Sequence, residues 1–276
     1  MITLIKNIIP KHIKKTLRWG YCFMLDIVDS LTGRRNEFVP LRRKIFVGSG
    51  DYLKTGEEFF KYFIEFAELK PNQKVLDVGC GSGRMALPLP KYLASDGAYE
   101  GFDIVKEGIQ WCLKITNKYP NFNFHLADIY NKLYNPAGRY KSSEYVFPYK
   151  DETFDFIFIT SVFTHMFPDD IERYFSEISR VLKSNGKCLF TYFLLNAESL
   201  YLIRNNKSSL NFKYDFQTYS TIDKEVQEEA IALNEDIIRG YYNKYGFSIM
   251  HPIYYGGWCG REKFLSYQDI VIANKM

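Results

Sequence analysis

Val75-Leu76-Asp77-Val78-Gly79-Cys80-Gly81-Ser82-Gly83-Arg84 is the stretch that decides how this chain is read. An apolar strand pattern runs into three closely spaced glycines and then into a helical pattern. Glycines at such a turn let the backbone bend sharply and bring bare peptide groups against a ligand. A dinucleotide fingerprint would need glycine at the first, third and sixth positions, with pyrophosphate on the helix N-terminus. Counting from Gly79, the sixth position is Arg84, so that pattern fails. The spacing is instead G-x-G-x-G, with Asp77 two residues ahead of it. A carboxylate there would repel pyrophosphate and attract a cationic amino-acid group. A zwitterionic nucleoside ligand therefore suits these residues, against the alternative of a tight turn that binds nothing.

Working outward, the pattern alternates strand and helix. Strands are predicted at 74–78, 98–104, 123–127, 154–160 and 187–195. Helices are predicted at 56–69, 109–118 and 169–183. The last of these carries Ile171, Tyr174, Phe175, Ile178, Val181 and Leu182 on one face, and Asn185-Gly186 reads as its stop. A further helical run follows the glycines, where Pro88 and Pro90 should kink or shorten it. This alternation implies a parallel sheet with crossover helices. The C-terminal region reads differently: a polar segment at 204–224, a helix at about 224–245, then two strands, 247–255 and 268–273, joined by a glycine-rich loop.

The motifs that follow the glycines come in a recognisable order. Asp103, in Gly101-Phe102-Asp103-Ile104, ends the second strand 20 residues past Gly83, the distance one crossover helix requires. His125-Leu126-Ala127-Asp128-Ile129 ends the third, and Thr160-Ser161 stands at the tip of the fourth. Over residues 74–193 the chain resembles the class I, Rossmann-like S-adenosylmethionine-dependent methyltransferases. The resemblance implies a three-layer α/β fold with a mostly parallel seven-stranded sheet and a C-terminal antiparallel hairpin. It also implies a cofactor site drawn from Asp77, Gly79, Cys80, Gly81, Gly83, Asp103, Ile104, Asp128, Ile129, Thr160 and Ser161. Within that site Asp103 would accept from both ribose hydroxyls, Asp128 would meet the adenine amino group, and Ile129 would offer its backbone N–H to the ring. The chain departs from the family between Asp128 and Phe147. There about 17 residues, 130–146, are added, carrying Tyr130, Tyr134, Tyr140, Tyr145 and Arg139. So aromatic an insert reads as a substrate-facing lid rather than padding.

The acceptor is less legible. Ile159-Thr160-Ser161-Val162-Phe163-Thr164-His165-Met166 is not the N/D-P-P-Y/F signature of base-amino methylation, and no carboxylate lies between Asp155 and Asp169 to bind magnesium. Metal-independent transfer to a small-molecule or glycan acceptor is expected, at oxygen, with His165 as general base. Packing of that histidine before Pro168 is the competing reading. Tyr254, Tyr255, Trp258 and Arg261 are read evenly as a substrate wall or an ordinary hairpin.

Composition bounds the rest. A net charge of +4 does not by itself argue for nucleic acid, and 17% aromatic residues suit a ligand-gripping pocket as well as a core. Five scattered cysteines without a CxxC pair suggest neither disulfides nor zinc, so a reducing cytoplasm is the expected compartment. No stretch reaches membrane-spanning length. Residues 1–50 hold ten Lys or Arg against three acids, a local +7, which leaves about −3 for the rest. This basic arm reads as two short helices divided by Pro10 that pack on the domain of residues 51–276, or as a lid over the cofactor. Its residues 46–52 would form a flexible join. Docking of a macromolecular acceptor (protein or RNA), or peripheral contact with a membrane, are its other readings. The sequence sets no oligomeric state.

Overall fold

The computed structural model describes residues 11–32, 36–45, 48 and 50–276. Its first helix, α1 (Lys11–Leu31), leads through the segment 36–45 to α2 (Tyr52–Glu65), whose N-terminus is capped by Asp51 accepting from Leu53 N and Lys54 N. Then come β1 (Lys74–Val78), β2 (Ala98–Asp103), α3 (Lys106–Lys118), β3 (Phe122–Leu126), β4 (Phe154–Ile159), α4 (Pro168–Val181) and β5 (Leu182–Tyr192). The C-terminal part adds β6 (Leu194–Leu195), α5 (Ala197–Arg204), β7 (Tyr214–Asp215), β8 (Tyr219–Thr221), β9 (Ile231–Asn234), α6 (Glu235–Lys244), β10 (Phe247–Tyr254) and β11 (Asp269–Lys275).

Seven strands form one sheet in the order β10-β11-β5-β4-β1-β2-β3, parallel from β5 through β3, with β11 antiparallel to both neighbours. Period-two alternation divides the strands between two cores. Phe156 and Phe158 pack with Phe59 and Phe63 of α2 and Ile109, Cys112 and Ile115 of α3. Their neighbours Ile157 and Ile159 pack with Ile171, Phe175 and Ile178 of α4 and Ile238 and Tyr242 of α6. The three-layer fold is thus as the motifs imply. Its strand order reverses between β1 and β4, and open α/β sheets bind ligands at the crevice where that reversal falls.

Four expectations need correction. No α-helix follows the glycine loop: the chain makes turns and one short 3₁₀ segment, Leu89–Lys91. Pro88 and Pro90 each lack the N–H that an α-helix would need at those positions, so the chain there is limited to turns and the short 3₁₀ segment. Asn185-Gly186 does not stop a helix. α4 ends at Val181, and Asn185 (φ 63°) sits with Gly186 in a bulge where the β4–β5 register jumps from Phe154↔Leu182 to Phe156↔Lys187. The helix expected at 224–245 is only α6. The residues before it form β9, which joins β6, β8 and β7 in a second, four-stranded sheet that the sequence reading missed. The apolar side of α1, finally, does not pack on the body: Leu17, Met24 and Leu31 are 62%, 61% and 82% exposed. Residues 1–10, with the expected first short helix, and Phe46, Val47 and Ser49 of the expected join lie outside the described residues.

Candidate functional site

A cavity opens at the C-terminal ends of β1, β2 and β4, at the reversal point. Its floor is the glycine loop. Gly79 (φ 82°) and Gly83 (φ 84°) hold left-handed conformations that side chains rarely adopt. A Cβ on Gly79 would strike Val162 Cγ2, whereas one on Gly83 would press on Ile115 Cδ1 and Cys112 Sγ at 3.0 and 3.1 Å. Gly79 therefore lets the loop close against the tip of β4, and Gly83 lets it pack on α3. The loop is fixed by its own amides: Gly79 N and Cys80 N both donate to Phe102 O, at 2.9 and 3.0 Å.

Two carboxylates flank this loop in different ways. Asp103 lines the cavity, with Oδ2 accepting from Gly81 N (2.7 Å) and Oδ1 from Val105 N (2.8 Å). Burial raises its pKa, and those backbone donors oppose the rise. Asp77 lies behind the loop and is 1% exposed. Its Oδ2 accepts from Tyr99 Oη at 2.6 Å, while its Oδ1 has no hydrogen-bond partner among the described residues. Burial pushes its pKa up to about 8, against the Tyr99 hydrogen bond. Asp77 is not among the residues that line the cavity, so its Oδ1 is open only to a hydrogen-bonding group that reaches it through the glycine loop.

Among the other expected site residues, Gly79, Cys80, Ile104, Ile129, Thr160, Ser161 and His165 line the cavity with Asp103. Gly81 and Gly83 serve it through the contacts just described. Asp128 stands outside: it is half exposed, accepts from Arg139 N at 3.1 Å and lies 3.6 Å from the Arg139 guanidinium. Ser161 is a non-glycine residue at φ 60°, a conformation whose strain recurs at functional sites. It is held by Ser161 N donating to Thr191 Oγ1 (2.8 Å) and by its hydroxyl donating to Gln268 Oε1 (3.1 Å).

His165 has a defined tautomer. Its Nδ1 lies 2.7 Å from Glu228 O, and a carbonyl only accepts, so Nδ1 carries the proton and Nε2 keeps its lone pair. Burial lowers its pKa, which favours the neutral imidazole. The Tyr134 ring stands edge-on to it at 5.6 Å.

Several walls of the cavity are not evident from the sequence. Asn131, Tyr134 and Ser142 of the 130–146 insert line the cavity, and only the insert's length and tyrosines hinted at this. Lys132 ties the insert to the segment before β9, donating from Nζ to Glu225 O at 2.8 Å. Gly48 and Arg84 close another side of the cavity. Tyr99 and the carbonyl of Glu228 had no signal at all, since each acts through a position that only folding creates. The glycine-rich hairpin loop proves structural. Trp258 Nε1 donates to the buried Asp269 at 2.8 Å, Arg261 lies 3.3 Å from the same carboxylate, and neither Tyr254 nor Tyr255 reaches the cavity.

Comparisons with known proteins bear on the family and the fold. Residues 69–237 match the family model described as a methyltransferase domain. Phosphoethanolamine N-methyltransferase 3 of Arabidopsis thaliana is 30% identical over 152 residues, which cover 55% of this chain and 27% of that protein. "Probable (S)-tetrahydroprotoberberine N-methyltransferase 2" of Papaver bracteatum is 27% identical over 198 residues, covering 59% and 50%. The chain thus spans about a quarter to about half the length of these curated relatives. Among solved structures, the PH0226 protein of Pyrococcus horikoshii OT3 superposes with a TM-score of 0.58 at 17% identity, covering 84% of this chain and 94% of that one. Magnesium protoporphyrin IX methyltransferase of Synechocystis PCC 6803 with bound SAH gives 0.50 at 13% identity, covering 83% and 90%. At such identities these two share the fold.

Proposed function

The chain belongs to the methyltransferase-domain family of class I S-adenosylmethionine-dependent enzymes, and from that membership we propose that it methylates a small, polar acceptor at oxygen, without a metal, using His165 as the base. The residues present fit the cofactor. The Asp103 carboxylate at the cavity wall suits a pair of hydroxyls, and the Oδ1 of Asp77, beneath the glycine loop and without a partner among the described residues, would suit an ammonium that reaches it there. Ile129 and Ile104 supply apolar wall beside it, with Thr160 and Ser161 at the β4 tip. Bound there, S-adenosylmethionine supplies a methyl group on a sulfonium, whose departure as a neutral thioether needs no acid.

What the protein adds is position and proton removal. The observation that carries the reading is the Glu228 O–His165 contact, which leaves Nε2 as the basic atom of a buried, neutral imidazole in the cavity wall. Nε2 takes the acceptor's hydroxyl proton as the oxygen engages the methyl group, and the Glu228 carbonyl holds the resulting imidazolium through Nδ1–H. His165→Ala should lower turnover by about 10²–10⁴ with cofactor affinity unchanged. The wild-type rate should fall only below about pH 6.5, because burial moves the imidazole down from its ordinary value. A change of only a few-fold in the variant would assign His165 to packing. Turnover should also survive EDTA, since no carboxylate lies between Asp155 and Asp169 to hold a metal at the β4 tip. Loss restored by magnesium would reverse that assignment.

A second reading, transfer to nitrogen, is favoured by the names of the two curated relatives, both N-methyltransferases. The pH profile separates the two. An amine acceptor places the acidic limb at the amine's own pKa, well above neutrality, and that limb persists in His165→Ala.

A further inference from the structure

Helix α1 is amphipathic in the opposite sense to an ordinary packed helix. Eight of the fifteen residues from 17 to 31 are large, apolar and exposed: Leu17, Trp19, Tyr21, Phe23, Met24, Ile27, Val28 and Leu31. At 3.6 residues per turn they fill one arc of roughly 200°. Trp19 and Phe23 stack within it, at 5.5 Å and 4° between ring planes. The opposite side faces the protein. Asp26 is buried and accepts from Arg42 N at 2.8 Å, and Asp29 pairs with the Arg42 guanidinium at 2.9 Å. These contacts fix which side turns outward, so the exposed arc is not a helix waiting to roll onto the core. So continuous an apolar surface on a folded protein marks a site of attachment.

The sequence says what would attach. Lys11, Lys14, Lys15 and Arg18 all stand in the first eight residues of α1, next along the chain to the exposed apolar stretch. The two acids of the helix are already engaged by Arg42 and Arg43. The charge left on the arm is therefore positive, and along the chain it runs directly into the apolar face. A second copy would bring like charges together, whereas an anionic lipid surface satisfies both the charge and the apolar area. We propose that α1 lies in the plane of an anionic membrane surface, with its Leu17–Tyr21–Met24–Val28–Leu31 stripe among the acyl chains and the methyltransferase domain held beside the bilayer.

The test is co-sedimentation of the full chain with phosphatidylcholine vesicles, with and without about one-third phosphatidylglycerol, alongside analytical ultracentrifugation of the protein alone. At least ten-fold more protein should sediment with the anionic vesicles, and the difference should shrink as salt rises. Leu17→Ser/Met24→Ser should lose that binding ten-fold or more while keeping its circular dichroism and its cofactor affinity. Lys14→Gln/Lys15→Gln, which leaves the apolar face intact, should lose the preference for anionic lipid. Several outcomes overturn the proposal: no sedimentation with either vesicle, equal binding by the serine variant, or a dimer in solution that the serine substitutions dissociate. So do binding that emerges only after residues 1–10 are deleted, which would make that segment the cover, and retention by single-stranded RNA with none by lipid.

Discussion

Asp103, at the end of β2, and Asp77, one residue before the end of β1, are both raised by burial but differ in their hydrogen-bond partners. Asp103 has a backbone donor on each oxygen and a face on the cavity, so it is preorganised to accept further hydrogen bonds. Asp103→Ala should weaken cofactor binding by roughly 1.5–3 kcal/mol, the worth of hydrogen bonds to a charged group. Calorimetry finding the affinity unchanged would remove Asp103 from the site. These residues were readable in the sequence because covalent spacing fixes them: two positions before a glycine, or one crossover beyond it. The partner of His165 was not readable. A backbone carbonyl has no residue type, and Glu228 meets His165 only because the segment before β9 folds across the β4 tip.

At the scale of elements, the 130–146 insert and the segment before β9 act on the site together. Lys132 joins them, Tyr134 brings one to the His165 ring, and Glu228 brings the other to its Nδ1. Insert length and aromatic content predicted a lid; the second sheet behind it was missed because its strands are only two to four residues long, too short for an alternating pattern to register. The central sheet was legible for the converse reason, since its strands are longer and the middle ones, β1, β4 and β5, are apolar on both faces. If the insert shapes the acceptor side, Tyr134→Ala should lower kcat/KM for the acceptor roughly three- to ten-fold, the range of an aromatic contact of 0.5–1.5 kcal/mol. Cofactor affinity should stay within three-fold. A variant with unchanged acceptor kinetics would make the insert a padding loop.

For the whole molecule, the bare oxygen of Asp77 ties global stability to pH and to ligand. Folding raises this carboxyl from 3.8 to about 8, with burial as the main cause. The folded chain therefore keeps a proton that the unfolded chain gives up near pH 4. The contribution is fully present below about pH 4 and is lost as pH rises through 8. The slope is about 1.4 kcal/mol per pH unit until the folded group ionises, so roughly 2 kcal/mol should disappear between pH 6 and 8. Asp170 and Asp269, both raised by burial to about 6, lose their share mostly below this window. Chemical denaturation at pH 6, 7 and 8 should show the decline in the cofactor-free protein. Asp77→Asn keeps an acceptor for Tyr99 but has no proton to lose, so the difference between the two proteins isolates this group from every other titration. Saturating cofactor should flatten the wild-type curve as well, because an ammonium against Oδ1 favours the ionised carboxylate and releases the proton on binding. Parallel curves for wild type and Asp77→Asn would show that this carboxyl titrates alike in both states, and that its unpartnered oxygen is no receptor for charge.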